Sequence, residues 1–101
     1  MEFLLRHFFL KSLFIILLSL LIFGKAFATN TSTGTNALSS LTTGTYNTAN
    51  GYLSLYSNTT GYRNTATGAL SLYFNTSGYE NTALGDMSLN SNTTGIKNTA
   101  I

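Results

Sequence analysis

Catalysis needs groups that titrate or attack, and residues 29–101 of this 101-residue chain hold few of them. Their carboxylates are Glu80 and Asp86, no cysteine occurs anywhere, and the single histidine is His7. A carboxylate pair can divide the acid and base work of glycoside hydrolysis, but this pair occurs once, beside no insertion that would build a cleft. Serine is plentiful, yet a serine nucleophile needs an adjacent base. No glycine cluster leads into the Lys-Ser/Thr helix start of a phosphate cradle. A non-catalytic chain without metal or cofactor is therefore expected.

Two further residue types suggest chemistry. Asn30, Asn58, Asn75 and Asn92 each open an Asn-x-Ser/Thr triplet, the acceptor for glycosylation in a secreted eukaryotic protein. The same asparagines open a turn in every repeat, so the repeat itself accounts for the triplets. Tyr46, Tyr52, Tyr56, Tyr62, Tyr73 and Tyr79 form a large aromatic supply for so small a region. Each offers an apolar body with a polar tip, which suits contact with a partner, so the six are expected to divide between an inter-chain interface and open surface.

What must position these residues is a unit of 17, clearest at residues 58–74 as NTTGYRNTATGALSLYF. Residues 41–57 (LTTGTYNTANGYLSLYS) and 75–91 (NTSGYENTALGDMSLNS) are further copies, and a fourth, NTTGIKNTAI, runs from 92 to 101. Asn30, Thr31, Gly34 and Leu38 fall in phase with Asn47, Thr48, Gly51 and Leu55, so residues 29–40 read as a degenerate first coil. Terminal repeats of stacked arrays are often atypical in this way.

Within each unit Leu53 and Leu55, Leu70 and Leu72, and Met87 and Leu89 flank a serine, and period-two alternation predicts a strand. A second extended segment is expected at Tyr-x-Asn-Thr-Ala, with Tyr62, Asn64 and Ala66 on one face and Arg63 and Thr65 on the other. Glycines and Asn-Thr clusters between them are turn chemistry. Two strands and two turns per unit describe an all-β fold, a parallel β-solenoid of 17-residue coils spanning residues 41–101. Residues one coil apart then stack at roughly 4.8 Å. Apolar ladders should run through Leu55, Leu72 and Leu89 and through Leu53, Leu70 and Met87, with small residues at Ala49, Ala66, Ala83 and Ala100. Asn47, Asn64, Asn81 and Asn98 should bond amide to amide along the axis. Tyr46, Arg63, Glu80 and Lys97 occupy an outward position whose charges alternate in sign.

Residues 1–28 differ from the array. Arg6, His7 and Lys11 precede SLFIILLSLLIF at residues 12–23, and Ala26 and Ala28 give a small-x-small site. This is a signal peptide, with cleavage expected after Ala28 and membrane contact only during export. The net charge of +2 belongs to this segment. The array carries Arg63 and Lys97 against Glu80 and Asp86, a formal charge of zero, so the basic footprint of a nucleic-acid binder is missing. With neither cysteine nor histidine to staple about seventy residues, oligomerisation is the support that remains.

The elements Asn47-Thr48-Ala49-x-Gly51, Asn64-Thr65-Ala66-x-Gly68 and Asn81-Thr82-Ala83-x-Gly85, with the Asn-Thr-Thr-Gly clusters, resemble the head repeats of trimeric autotransporter adhesins of the YadA type. Similar units occur in phage tail-fibre-like proteins that end in an endosialidase-type chaperone domain. The resemblance covers residues 30–101 and implies a left-handed parallel β-roll, a homotrimer, and display on a surface for binding a protein or glycan ligand. Secretion or the cell surface is the implied location, the outer membrane if the chain is part of a longer autotransporter. The 101 residues contain no neck, heptad stalk or membrane-spanning β-domain, so a truncated gene product or attachment by something else is expected.

Adhesion is thus the leading expectation, through protein or glycan surfaces of host, matrix or other cells. Gly-x-x-Asn-x-Ala at Gly44, Gly61, Gly78 and Gly95 is similar to a core of the curlin repeat, although the glutamine of that repeat is missing here, and makes a self-assembling fibre the alternative. An ice-binding face built on Thr48, Thr65, Thr82 and Thr99 ranks third.

Overall fold

A computed structural model describes residues 1–27 and 30–101, with side-chain surroundings for residues 1–17 and 30–101. The expected cleavage after Ala28 lies outside the described residues. The chain opens with helix α1, Glu2–Phe27, so the all-β description holds only for residues 30–101. Leucine, phenylalanine and isoleucine dominate α1, and Glu2 in its first turn suits the helix dipole. Phe3, Leu4, Leu5, Phe8, Phe9, Leu10 and Phe14 are all exposed.

Five short strands come after it: β1 (Thr31–Thr33), β2 (Thr48–Asn50), β3 (Thr65–Thr67), β4 (Thr82–Leu84) and β5 (Thr99–Ala100). They form one all-parallel sheet in the order β1-β2-β3-β4-β5. Thr48 pairs with Thr65 and Ala49 with Ala66, and the same offset of 17 recurs from strand to strand. The half-unit at the start joins in register, Thr31 opposite Thr48 and Ser32 opposite Ala49. Each strand is one edge of a coil that returns to stack on itself, an arrangement consistent with a β-solenoid.

The sheet explains only part of each coil. In β2, β3 and β4 the central alanine is buried and its neighbours face outward, so Ala49, Ala66 and Ala83 form a small-residue ladder inside. Gly68 ends β3 at φ 122°, where a side chain is strained, and a Cβ there would strike the backbone of Gly85.

The Leu-Ser-Leu segment is not the strand that its alternation predicts. Leu53 and Leu55 have φ of 55° and 50°, and Leu70 and Leu72 have 58° and 50°. Left-handed backbone on both sides of the serine abolishes the two-residue alternation of side-chain direction. Ser54 and Ser71, expected on the opposite face, are fully buried beside Leu55 and Leu72, and their hydroxyls donate to the carbonyls of Gly51 and Gly68 at 3.1 and 2.8 Å. Leu53 and Leu70 are only half-buried and Met87 is exposed, so that set is not an interior ladder. The Tyr-x-Asn-Thr-Ala segment is likewise shorter as a strand than expected, because Arg63 at φ 53° breaks it before Asn64.

A leucine in the left-handed region costs about 1–2 kcal/mol. Full burial of its side chain returns about 1.5–3 kcal/mol. The backbone bonds of the turn add to that, since Leu53 N–H reaches back to Thr35 O at 3.0 Å while Leu55 N–H reaches forward to Ser71 O at 3.0 Å. Each turn is thereby tied to the coils on both sides.

The two apolar sets should separate sharply on truncation. Leu72→Ala empties a fully buried site and is expected to cost about 2–5 kcal/mol. Met87→Ala, on an exposed side chain, should stay within about 0.5 kcal/mol. Urea unfolding measures both, and equal losses would restore the interior ladder that the structure rejects.

Candidate interaction surface

The repeat motif divides cleanly between inside and outside. Asn47, Asn64 and Asn81 are buried and use their amides fully. Asn64 Nδ2 donates to Asn47 Oδ1 at 3.1 Å and to Gly78 O at 2.8 Å. Its own Oδ1 accepts from the backbone N–H and the Nδ2 of Asn81, both at 3.1 Å. The ladder runs from Asn30 to Asn98 in the same pattern. A buried amide left half-bonded would be costly, and in this stack none of the central ones is.

A second asparagine ladder is a finding of the structure alone. Asn58, Asn75 and Asn92 also stack, Asn75 Nδ2 donating to Asn58 Oδ1 at 2.9 Å and Asn92 Nδ2 to Asn75 Oδ1 at 2.8 Å. Its signal is present in the sequence, since these residues recur at the same interval as the first set, but their place in a turn masks it. Both ladders converge on one carbonyl per coil: Gly78 O accepts from Asn64 at 2.8 Å and from Asn75 at 3.0 Å. Gly61, the equivalent residue one coil earlier, has no room for a side chain, because a Cβ would collide with Asn58 Oδ1 and the Gly78 carbonyl. These contacts also bear on glycosylation. Asn58 and Asn75 are fully buried with their Nδ2 atoms bonded, so the folded coil does not offer them to a transferase.

With the interior consumed, four columns face outward. Thr48, Thr65, Thr82 and Thr99 stand on the strands beside the buried alanines, in strict register. Tyr46, Arg63, Glu80 and Lys97 occupy a turn position of left-handed backbone, φ between 53° and 58°, which aims them away from the coil. Arg63 Nη1 lies 3.3 Å from Glu80 Oε1. Both side chains meet solvent, 62% and 33% exposed, so the pair contributes at most about 1 kcal/mol and acts mainly to avoid like charges at that spacing.

The other two columns are aromatic. Tyr62 and Tyr79 stack with centroids 4.6 Å apart and planes within 7°. Tyr56 and Tyr73 stack at 5.2 Å, with Phe74 set edge-on to Tyr73 at 4.7 Å. Tyr46 and Tyr52 stand exposed. Four of the six tyrosines thus pair along the axis, a relation that follows from the repeat length once stacking is granted.

Glu80 and Asp86 do not make a paired site: Glu80 is held by Arg63, and Asp86 is exposed on the turn after Gly85. Among the described residues no group of three or more His, Cys, Asp or Glu side chains stands together to hold a metal ion. Set against protein-family models, curated proteins and solved structures, the chain matches none.

The amide ladder makes its own test. Asn64→Ala strands the N–H of Asn81 in the interior, a loss of about 1–3 kcal/mol before the cavity is counted. Asn64→Asp keeps the acceptor but sets a buried carboxylate against Asn47 Oδ1 and Gly78 O, and should destabilise at least as much. Thr48→Ala, on the exposed edge, should stay within about 0.5 kcal/mol. Thermal unfolding of the three variants checks the order; a tolerant Asn64 would mean that the ladder is incidental.

Proposed function

We propose that residues 1–28 direct export and that the array acts without catalysis as an adhesive module at the cell surface or outside the cell. In this reading the coils form a left-handed β-roll, three chains lie side by side, and the repeated outer face binds protein or glycan on host surfaces, matrix or other cells. One observation supports it above others. The recurrent residues are spent on coil geometry, while residues that vary between coils, such as Tyr46, Arg63, Glu80 and Lys97, stand outward in one line. Many weak contacts presented on one stiff array bind jointly far better than any one of them.

Solid-phase binding of the purified chain to matrix proteins and whole cells tests this, together with its mass in solution. Saturable binding by a trimer is the expected result. Replacing Tyr46, Arg63, Glu80 and Lys97 together by serine should weaken it by about tenfold or more, roughly 1.4 kcal/mol, with the unfolding midpoint nearly unchanged. A monomer that binds nothing would sink the proposal.

A second reading has one observation in its favour: Thr31, Thr48, Thr65, Thr82 and Thr99 stand in one parallel register, a regular row of hydroxyl and methyl groups. Such a row could order water as ice does. The companion column is less regular, since Asn50 and Leu84 interrupt Thr33 and Thr67. Thermal hysteresis in the freezing of a solution of the chain would favour this reading, and its absence removes it.

A further inference from the structure

Tyr62 and Tyr79 occupy the same position in successive coils, and Glu80 N–H donates to Tyr62 O at 3.0 Å, which holds their backbones side by side. Their rings lie 4.6 Å apart at centroid and parallel within 7°. Arg63 sets its guanidinium carbon 6.0 Å from the Tyr62 ring centre and restrains that ring further. Tyr62 is open to solvent while Tyr79 is half-buried. The chain has no cysteine, so no disulfide can staple one coil to the next.

We infer that Tyr62 and Tyr79 are a site of oxidative cross-linking, joined as dityrosine across successive coils when hydrogen peroxide and a haem peroxidase supply the oxidation. Each phenol gives up one electron and its phenolic proton. The two phenoxyl radicals couple through ring carbons adjacent to the oxygens, forming one carbon–carbon bond. The hydrogen on each coupled carbon then moves to its ring oxygen as a proton, restoring both phenols. Hydrogen peroxide takes up the two electrons and two protons and leaves as two waters, so two tyrosines and one peroxide give one dityrosine and two waters. Two phenols already stacked meet at a very high effective concentration, which removes the largest obstacle to radical coupling between dilute groups. The rings need only turn about their Cβ–Cγ bonds and tilt; the coils stay in register. The product would tie neighbouring coils covalently, the role that disulfides play in small exported domains. This inference rests on contacts within one chain and holds whatever the outer face binds.

Sequence makes the test clean. Trypsin cuts after Lys25, Arg63 and Lys97, so Tyr62 lies in peptide 26–63 and Tyr79 in peptide 64–97. The full chain, kept in mild detergent and carrying Tyr56→Phe and Tyr73→Phe, leaves Tyr79 as the one tyrosine of the second peptide. A mixture of unlabelled and nitrogen-15-labelled chains is treated with peroxide and peroxidase, denatured, digested and read by mass spectrometry. Expected is a linked 26–63/64–97 product lighter by two hydrogens, with dityrosine fluorescence, in which both peptides carry the same isotope. Tyr62→Phe, which keeps the ring stack and removes only the hydroxyl, should abolish it. The cross-linked chain should also unfold at a higher temperature than the untreated one. Absence of the linked product, its survival in Tyr62→Phe, or linkage only between differently labelled chains would each overturn the assignment.

Discussion

The amide stack of Asn47, Asn64 and Asn81 is the constraint on which the rest of the coil depends. Strands of two or three residues carry too few ladder bonds to fix register by themselves. Each buried asparagine supplies what they lack. Its donors and acceptor are matched to the same atoms one coil before and one coil after, and to the glycine carbonyl in the next turn. A slip of a single residue would put an amide where Thr48 or Thr65 now stands and leave several buried polar groups unbonded. In a low-dielectric interior that penalty exceeds anything the short strands contribute.

From that stack the remaining identities are set by exclusion. The carbonyl of Gly61 or Gly78 receives two amides, which brings both ladders so close that no Cβ can intervene. The far side of the coil must then close on little volume, and it does so with left-handed turns that drive Leu55 and Leu72 inward. Alanine opposite them completes the core. Buried amides, leucine and alanine thus share the interior of the coil.

How much of this was legible in the sequence depends on which physical rule the residues obeyed. The period, the parallel register and the inward alanines and asparagines could be read because identical residues recur at a fixed interval, and stacking turns that interval into contact. Leu-Ser-Leu misled because leucine is a rare choice for positive φ, where glycine or asparagine is the usual signal. Alternation then looks like a strand while the backbone is a pair of turns. Ser54 and Ser71 were hidden for the same reason: a serine between leucines reads as the solvent face, and only the turn's geometry shows its hydroxyl closing onto a glycine carbonyl. On the outer face, Arg63 against Glu80 was legible from charge alone, whereas the tyrosine stacks required knowing that the rings of successive coils project side by side.

Stability and surface are therefore governed by different residues, and the division has a consequence for how such an array can vary. A change inside one coil disturbs the coils on both sides, because each amide and each turn bond is shared with a neighbour, as expected of a chain whose energy is a sum over adjacent repeats. A change at Tyr46, Arg63, Glu80 or Lys97 disturbs at most one exposed ion pair and the contact of Arg63 with the Tyr62 ring. The outer column can take tyrosine, arginine, glutamate and lysine in successive coils for this reason, with the inner residues scarcely altered. The left-handed backbone at that position, fixed by the coil rather than by the residue in it, is what makes the side chain replaceable.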